Sequence, residues 1–234
     1  MTVLHLADDT EAADLAAFLS RLLHYDRAAA VRLQAAGTAL AVFGRPASFE
    51  VLAVRAVRLA KPYEDGLDVT LDATVSAGEL LESLDERAAT ASVPAAVTGP
   101  PWAGVLPPRG GWRPEPGLPP VDGLRALVSA AVTEFRTRTQ QLPPEERTRG
   151  ALDGIGREIW SRTVGETRLP VRAVHAAQSL GFLRPAASTG GGPDDLALFS
   201  SGAWLRLRAP YGSIAVRQAG QGPTGLGALG LSVR

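Results

Sequence analysis

The fold prediction for the C-terminal half starts from residues 169–183, which read LPVRAVHAAQSLGFL. Pro170 suits the first turn of a helix, because its missing N–H would have no partner there, and Gly181 suits the left-handed position that closes a helix. At 100° per residue, one face of this helix is apolar, formed by Ala173, Val174, Ala177 and Leu180. The other face is polar, formed by Arg172, His175 and Ser179, with Gln178 beside them. The segment therefore predicts a short amphipathic helix over roughly residues 168–180.

Two more helices are predicted before this segment and three strands after it. Residues 121–141 carry apolar side chains at helical spacing, and Pro143-Pro144 ends that helix and begins another over about residues 145–163. Three short apolar runs then predict antiparallel strands, at residues 196–199, 203–208 and 213–217. The C-terminal half is therefore predicted to contain three helices followed by a small antiparallel sheet.

This order of elements resembles a winged helix-turn-helix domain over roughly residues 145–217. In that family the third helix characteristically ends in a Leu-x-x-x-Gly-(Leu/Phe)-(Val/Leu) run, and residues 177–183, AQSLGFL, are similar to it. The resemblance implies a DNA-binding surface, with base contacts from Arg172, His175 and Gln178 and phosphate contacts from Arg168, Arg184, Arg206 and Arg208. The alternative is a winged-helix fold used for protein contacts, because the helix face carries one arginine and Asp194-Asp195 would repel phosphates.

The N-terminal 92 residues predict an acidic α/β unit. A short strand at residues 2–7 is followed by a helix over residues 11–24, which Thr10 can cap, and then by three or four strands up to residue 73. Ser76 and Glu79 have the spacing of a capping box and open a second helix that runs to about residue 88. In topology alone, this order is similar to one repeat of a DNA sliding clamp. The similarity implies a scaffold or partner-binding role.

A proline-rich segment, residues 93–122, separates the two units. It holds nine of the 18 prolines, so it cannot be a regular helix or an inner strand. We expect an extended, semi-rigid connector between two folded units. Because a solvated linker has little use for indoles, we also expect Trp102, Trp112 or both to dock on a neighbouring domain. The predicted fold is thus α+β with two domains, residues 1–92 and 123–219, followed by a glycine-rich tail over residues 220–234.

The composition excludes several kinds of site. The 234 residues include no cysteine, which excludes disulfides, zinc ribbons, iron–sulfur clusters and cysteine nucleophiles. The three histidines, His5, His24 and His175, lie too far apart in the sequence to indicate a histidine-rich metal site. A Gly-x-Ser-x-Gly elbow and a phosphate-binding loop are both missing. We therefore predict a protein that is not an enzyme and has no cofactor or metal.

The charge is divided unevenly along a chain that is neutral overall. Residues 1–120 hold 15 acids and 10 bases, a net charge of −5, whereas residues 121–234 hold 9 acids and 14 bases, a net charge of +5. Such a division indicates that the basic part faces a polyanion and the acidic part another partner, or that the two parts face each other. The chain has no apolar run of about 18 residues, and its first residues carry no positive cluster. We expect a soluble, cytoplasmic protein with no membrane partner.

These observations predict a non-enzymatic regulatory protein. Its C-terminal unit would contact DNA or a DNA-bound complex, and its N-terminal unit would contact a protein partner or a second copy of the chain. The first alternative is a protein–protein interaction adaptor with no nucleic-acid contact. The second is an enzyme whose site is assembled from residues that sequence spacing does not reveal.

Overall fold

A computed structural model of the chain describes residues 2–61, 71–185 and 196–218. The predicted glycine-rich tail and the acidic pair Asp194-Asp195 lie outside the described residues. The helices are α1 (Asp9–Tyr25), α2 (Ala77–Glu82), α3 (Val121–Gln141), α4 (Arg149–Ser161) and α5 (Val171–Ser179). The strands are β1 (Val3–His5), β2 (Ala30–Ala36), β3 (Ala39–Gly44), β4 (Leu52–Arg58), β5 (Leu71–Ser76), β6 (Leu84–Asp85), β7 (Thr90–Ser92), β8 (Arg113–Glu115), β9 (Ala197–Ser201), β10 (Trp204–Ala209) and β11 (Gly212–Arg217).

The fold is α+β, as predicted, and one antiparallel sheet joins its two halves. The eight strands of this sheet have the order β5-β2-β3-β4-β11-β10-β9-β8. At its centre, β4 pairs with β11 in a register that places Ala53 opposite Ile214. The strands predicted as a wing therefore continue the N-terminal sheet. A smaller sheet with the order β1-β7-β6 lies beside it.

The order of elements is repeated across the centre of the large sheet. Helix α1 precedes the meander β2-β3-β4, and helix α5 precedes the meander β9-β10-β11. The two meanders meet at β4 and β11, and β5 and β8 form the outer edges. The sequence shows no internal repeat, so this symmetry is one of topology. The strands of the two predicted units therefore belong to one sheet and not to two.

The helices cover one face of the sheet, where the main apolar core lies. Side chains alternate along each strand, and those on the helix side include Val42 of β3, Ala53 of β4 and Leu207 of β10. Helices α1 and α5 both contribute to this core, and the rings of Phe18 and Phe182 stack there with their centroids 5.7 Å apart. The positive φ of Gly181, +75°, lets the chain turn at the end of α5 so that Phe182 enters the core.

Three helices differ from the sequence prediction in a boundary, and one of them is α4, which begins at Arg149 because Pro144–Glu146 forms a separate 3₁₀ turn before it. Helix α1 begins earlier than expected, because the side chain of Asp8, instead of that of Thr10, caps it by accepting a hydrogen bond from the backbone N–H of Glu11 (2.8 Å). The predicted position of Ser76 at the start of α2 is confirmed, since its hydroxyl accepts a hydrogen bond from the N–H of Glu79 (3.3 Å). That helix ends at Glu82 because the chain then enters β6 and β7.

The proline-rich segment is packed on the sheet and does not act as a spacer. The face opposite the helices, here called the outer face, carries an apolar cluster of Phe43, Leu52, Val54 and Ala215. Residues 93–115, here called the strap, cross this face. The strap begins beside β5, where the N–H of Val97 donates to the carbonyl of Thr74 (2.8 Å), and it ends as β8, which pairs with β9 at the other edge. The segment that we expected to be an extended connector between two units thus lies against a sheet that the two halves share, and there is no gap for it to span.

Both tryptophans of the strap contact other parts of the protein, which confirms their predicted docking. The indole of Trp102 packs on the outer-face cluster together with Leu106 and Trp204. Trp112 lies near the guanidinium of Arg206, 5.8 Å from the ring centroid, and its indole N–H donates to the carbonyl of Pro108 (3.0 Å). The strap therefore covers apolar surface that would otherwise face water.

A charged cluster joins the two halves on the helix side. The guanidinium of Arg55, a residue that is 6% exposed, donates to Glu11 (3.0 Å) and Asp14 (3.2 Å) of α1 and to the carbonyl of Tyr211 (2.8 Å). Arg184 pairs with Asp14 and lies 3.6 Å from the centroid of the Tyr211 ring. Asp14 of the N-terminal half thus pairs with Arg184 of the C-terminal half, whereas Glu11 pairs with bases of its own half.

Candidate ligand-binding cleft

The seven residues predicted to contact DNA do not lie on one surface. Arg206 and Arg208 alternate along β10 with Leu205 and Leu207, whose side chains belong to the core under the helices. The two arginines therefore point to the outer face, on the side of the sheet opposite to α5. We expected one DNA-binding surface made of the α5 face and the wing. The alternation along β10 shows instead that the wing arginines and α5 lie on opposite sides of the sheet.

Most of the predicted arginines make contacts within the protein. Arg168 donates to Gln218 (3.2 Å) and to Glu115 (3.4 Å), and Arg184 pairs with Asp14. On the outer face, Arg206 donates to the hydroxyl of Ser213 (3.1 Å), and the guanidinium of Arg208 lies 5.1 Å from the Phe199 ring centroid. Burial, and to a smaller degree the neighbouring Arg208, lowers the pKa of Arg206.

The predicted polar face of α5 is covered in part by the N-terminal half. Helix α5 packs against the 3₁₀ turn Ala47–Phe49, and the ring of Phe49 meets the imidazole of His175 edge-on, with centroids 5.0 Å apart. Gln178 remains exposed. Burial lowers the pKa of His175, so its imidazole is neutral at neutral pH. A groove of DNA therefore has no direct access to His175.

Arg172 and His175 instead line a cleft of about 980 Å³. One wall comes from the N-terminal half, through Tyr25 and residues 47–50. The other wall comes from α3, α4 and α5. Helix α4 contributes a single face to it, at the helical spacing that brings together Arg149, Leu152, Asp153, Gly156, Arg157, Trp160 and Ser161.

Five rings form a continuous ladder along this cleft. Its order is Tyr25, Phe49, His175, Trp160 and Phe135, with successive centroids 5.1, 5.0, 4.6 and 6.2 Å apart. Each ring comes from a different element, and the first two belong to the N-terminal half. Such pairs contribute about 0.5–1.5 kcal/mol each beyond the area that they bury. The ladder therefore both holds the halves together and gives the cleft an aromatic wall.

Gly156 leaves space beside two of these rings. A Cβ atom at this position would lie 3.5 Å from Cδ1 of Trp160 and 3.6 Å from Cε2 of Phe135. A larger side chain there would occupy the cleft at ordinary contact distance. By contrast, a Cβ atom at Gly154, on the same helix, would meet nothing within 4 Å. The two glycines therefore provide a matched pair for testing whether the cleft is used.

Several hydrogen-bond donors of the cleft have no partner among the described residues. The Nε atom of Arg172 is buried and makes no hydrogen bond. Tyr25, Trp160 and His175 also make ring contacts there without a hydrogen bond to any other described side chain or backbone group. Buried polar groups are nearly always hydrogen-bonded in folded proteins. Of these groups in the cleft, the Nε of Arg172 is the one that is both buried and without a hydrogen bond among the described residues.

The rim adds backbone strain and charge. Glu50 follows the turn that carries Phe49 and has a left-handed backbone conformation, with φ at +52°. This conformation costs a non-glycine residue about 1 kcal/mol or more, and such residues cluster at ligand sites. The lining holds three arginines and two carboxylates, an excess of one positive charge: Arg149, Arg157, Arg172, Glu50 and Asp153. The cleft therefore favours an anion.

The cleft contains no arrangement of acid and base that is typical of catalysis. In the described parts of the chain, no carboxylate is hydrogen-bonded to the imidazole of His175. No group of three or more histidine, aspartate or glutamate residues among those described could hold a metal ion. Within the same residues, no helix has the length and apolar character needed to cross a membrane. What the cleft offers is an aromatic wall and a cation.

Sequence reasoning missed most of this site. Trp160 is partly buried and lines the cleft, whereas Ile159 beside it is fully buried. The available signal was a second stripe on α4, in which Leu152, Gly156 and Trp160 recur every four residues. Tyr25 and Phe49 carried no such signal, because they reach the cleft from the other half of the chain.

Two family models divide the chain between them. Residues 1–104 match a domain of unknown function (DUF8010), and residues 107–221 match a second domain of unknown function (DUF8185). No curated protein matches the chain. The boundary falls inside the strap, so the two matched segments agree with a two-domain layout. Because Phe49 belongs to the first segment and Trp160 to the second, the cleft lies where the two families meet.

Proposed function

We propose that this protein is a non-enzymatic regulatory protein that binds a small ligand in the cleft between its two halves. The observation that carries the proposal is the meeting of five rings from both halves in a cleft that is also lined by Arg172, whose buried Nε is unbonded. Ligand sites are typically concave, mostly apolar, located between domains and provided with a few polar groups. This cleft is concave and lies between the two halves, and its aromatic wall stands beside polar and charged side chains that make up about half of the lining.

Binding is supported over catalysis by the chemistry of the lining. A general base needs a partner that orients it, and a nucleophile needs a base within hydrogen-bond distance. His175 contacts rings, and its neighbours Phe49 and Trp160 have no acid–base chemistry. The proposal therefore assigns His175 a role in shaping the cleft.

A regulatory role follows from the position of the cleft. A ligand that touches both Phe49 and Trp160 would favour the arrangement in which the two halves are in contact. Its binding energy would stabilise that arrangement and so change the surface that the protein presents to a partner. The partner would be another protein or a second copy of the chain.

The proposal is tested by screening the full chain against a chemically broad library of ring-containing small molecules. At a ligand concentration of 100 times Kd, binding adds about 2.7 kcal/mol, which corresponds to a rise in Tm of about 5–10 °C for a chain of this size. We expect such compounds to shift the Tm of the wild type and of Gly154→Met but not that of Gly156→Met. Equal shifts in all three proteins, or no shift with any compound, would contradict the proposal.

DNA contact is the second candidate function. It is supported by the order of α3, α4 and α5 before the strands β9–β11 and by the exposure of Gln178 on α5. Fluorescence anisotropy of a mixed-sequence duplex with the full chain, at two salt concentrations, tests it. Salt-sensitive binding that Gln178→Ala weakens would support it, because phosphate contacts release counterions. The absence of binding at low salt would reject it.

The adaptor alternative has less support from the described surface. The well-exposed large apolar side chains among the described residues are those of Val3, Val97 and Val105. One of them lies on β1 and two lie in the strap. Stable protein interfaces have an apolar centre rich in aromatic residues. Among the described residues, the five rings of the ladder instead line the cleft, and Trp102 and Trp204 pack on the outer-face cluster.

A further inference from the structure

We infer that the ligand of this cleft is a flat aromatic compound with an anionic group, bound so that Arg172 holds the anion and the ring lies against the Phe49–His175–Trp160 part of the ladder. This inference rests on the proposed function, because it names the chemical class of the ligand that the cleft takes. It assigns each half of the ligand to a different part of the lining.

The anion follows from the state of Arg172. In the described parts of the chain, three arginines have a buried Nε without a hydrogen bond: Arg55, Arg172 and Arg206. The guanidinium of Arg55 forms ion pairs with Glu11 and Asp14, and that of Arg206 donates a hydrogen bond to Ser213. Arg172 makes no hydrogen bond or ion pair of any kind with the described residues. The buried Nε of Arg172 therefore lacks an acceptor, and among anionic groups a carboxylate or phosphate matches the geometry of a guanidinium best.

The other charged side chains of the cleft do not provide an acceptor for the Nε of Arg172. Asp153 lies 3.8 Å from Arg149 on the same helix, an exposed pair at i,i+4 spacing. Arg157 adds a further cation to the lining, and Glu50 is the remaining acid. His175 is neutral, because burial lowers its pKa. One bound anion would therefore balance the excess positive charge.

The flat ring follows from the ladder. The imidazole of His175 and the indole of Trp160 are nearly parallel, with 26° between their planes, whereas Phe49 stands at 85° to the imidazole. The ladder thus already contains both a stacked and an edge-on contact, the two arrangements that aromatic rings prefer, and a flat aromatic ligand could extend it in either way. Among the described residues, the indole N–H of Trp160 and the hydroxyl of Tyr25 make no hydrogen bond. They are therefore available as donors to polar atoms on the ring of the ligand.

The size of the cleft agrees with such a ligand. A volume of about 980 Å³ lies at the upper end of the range for small-molecule sites. It accommodates a ring system together with its charged group. Two sources share this chemistry, an aromatic carboxylate and a nucleoside monophosphate, and the experiment distinguishes them.

The test is titration calorimetry of the full chain with paired probes. The carboxylate pair is indole-3-acetate and its neutral amide, the phosphate pair is adenosine monophosphate and adenosine, and inorganic phosphate is titrated alone. We expect at least one anionic ring compound to bind roughly 10-fold or more tightly than its neutral partner, since a hydrogen bond to a charged group contributes about 1.5–3 kcal/mol. The pair that shows the difference identifies the source.

Two variants locate the effect. Arg172→Met should remove the preference for the anion and bring its Kd to the level of the neutral compound. Arg136→Met, which changes an exposed arginine of α3 outside the cleft, should keep the wild-type preference. Arg172→Lys should retain part of it, because the charge remains while the Nε donor is lost.

Each remaining outcome overturns a defined part of the argument. If neutral probes bind as tightly as anionic ones, or if Arg172→Met keeps the preference, the ligand class is wrong while the cleft remains a binding site. If inorganic phosphate binds as tightly as the ring compounds, the site takes a simple anion and the aromatic part is wrong. If no ring compound binds and the library screen shows no effect of Gly156→Met, the proposed function itself fails.

Discussion

The imidazole of His175 stacks on the indole of Trp160, with ring centroids 4.6 Å apart and 26° between the planes. Phe49, from the other half of the chain, meets the same imidazole edge-on. One ionisable side chain therefore sits at the junction of α4, α5 and the N-terminal half. Its protonation state affects both the cleft and the contact between the halves.

The stability of the protein should depend on pH through His175. Burial lowers its pKa in the folded state below the value of about 6.5 in the unfolded chain, so protons bind the unfolded chain more readily. The stability that the neutral ring confers is complete above about pH 7 and is lost as the pH falls through 6.5 toward the lower folded pKa. We expect His175→Gln to reduce the fall in Tm between about pH 7.5 and 5.5.

Circular dichroism melts across this pH range provide the measurement, and His5→Gln is the control. His5 is exposed, so its replacement should leave the pH dependence of Tm unchanged. Arg157, Arg172, Glu50 and Asp153 also line the cleft, and they are the same in both variants. A pH profile of His175→Gln identical to that of the wild type would show that the burial of this ring has no effect on stability.

Arg55 should be among the most sensitive charged positions. Its guanidinium is 8% exposed, and it serves two carboxylates of α1 and a carbonyl of the C-terminal half. We expect Arg55→Met to lower the free energy of unfolding by about 3 kcal/mol, because Glu11 and Asp14 lose a buried partner. Urea denaturation measures the change. Arg58→Met, which removes a guanidinium that is 71% exposed from the same cluster, should cost less than about 1 kcal/mol. Equal costs would show that burial does not govern this cluster.

Gly212 should not tolerate a methyl group. A Cβ atom there would lie 2.6 Å from Cζ of Phe182, whose ring is buried and stacked on Phe18. We expect Gly212→Ala to lower the free energy of unfolding by about 1–3 kcal/mol, since the ring has no space to move. Gly104→Ala, at a position where nothing lies within 4 Å, should change it by less than about 0.5 kcal/mol. A wild-type urea midpoint for Gly212→Ala would contradict this packing.

The strap should be held down by Trp102. Its indole packs on the outer-face cluster, and the carbonyl of the next residue, Ala103, accepts a hydrogen bond from Arg32. We expect Trp102→Ala to lower stability by about 1–3 kcal/mol and to speed tryptic cleavage after Arg109, an exposed residue of the strap. Mass spectrometry of the fragments measures the cleavage rate. Val105→Ala, at a side chain that is 48% exposed, should cleave at the wild-type rate. Unchanged cleavage in Trp102→Ala would show that the indole does not hold the strap.

The helices could be predicted because their signals are local. The interval predicted for α3, residues 121–141, is the observed one, and the predicted third helix contains all of α5. Gly181 has the positive φ expected at a helix end. Periodicity, proline placement and capping act within a few residues, so the sequence displays them directly. Ends of helices that depend on the following chain, such as that of α2 at Glu82, were less accurate.

The site could not be predicted, because its parts are far apart in the sequence. His175 was singled out correctly as a residue of a polar helix face, yet its neighbours Phe49 and Trp160 decide what it does. Phe49 comes from a turn 126 positions earlier in the numbering. A DNA-facing helix and a helix that lines a cleft have the same periodicity, and only packing distinguishes them.

The sequence by itself determined the α+β class, the positions of the helices, the lack of cysteine chemistry and the opposite charges of the two halves. The tertiary structure decided that β4 pairs with β11, that the strap covers the outer face and that five rings meet in one cleft. The physical reason is the range of the forces involved. Helix formation is governed by neighbours within one or two turns, whereas strand pairing and ring packing depend on apolar surfaces that meet only after the chain has folded.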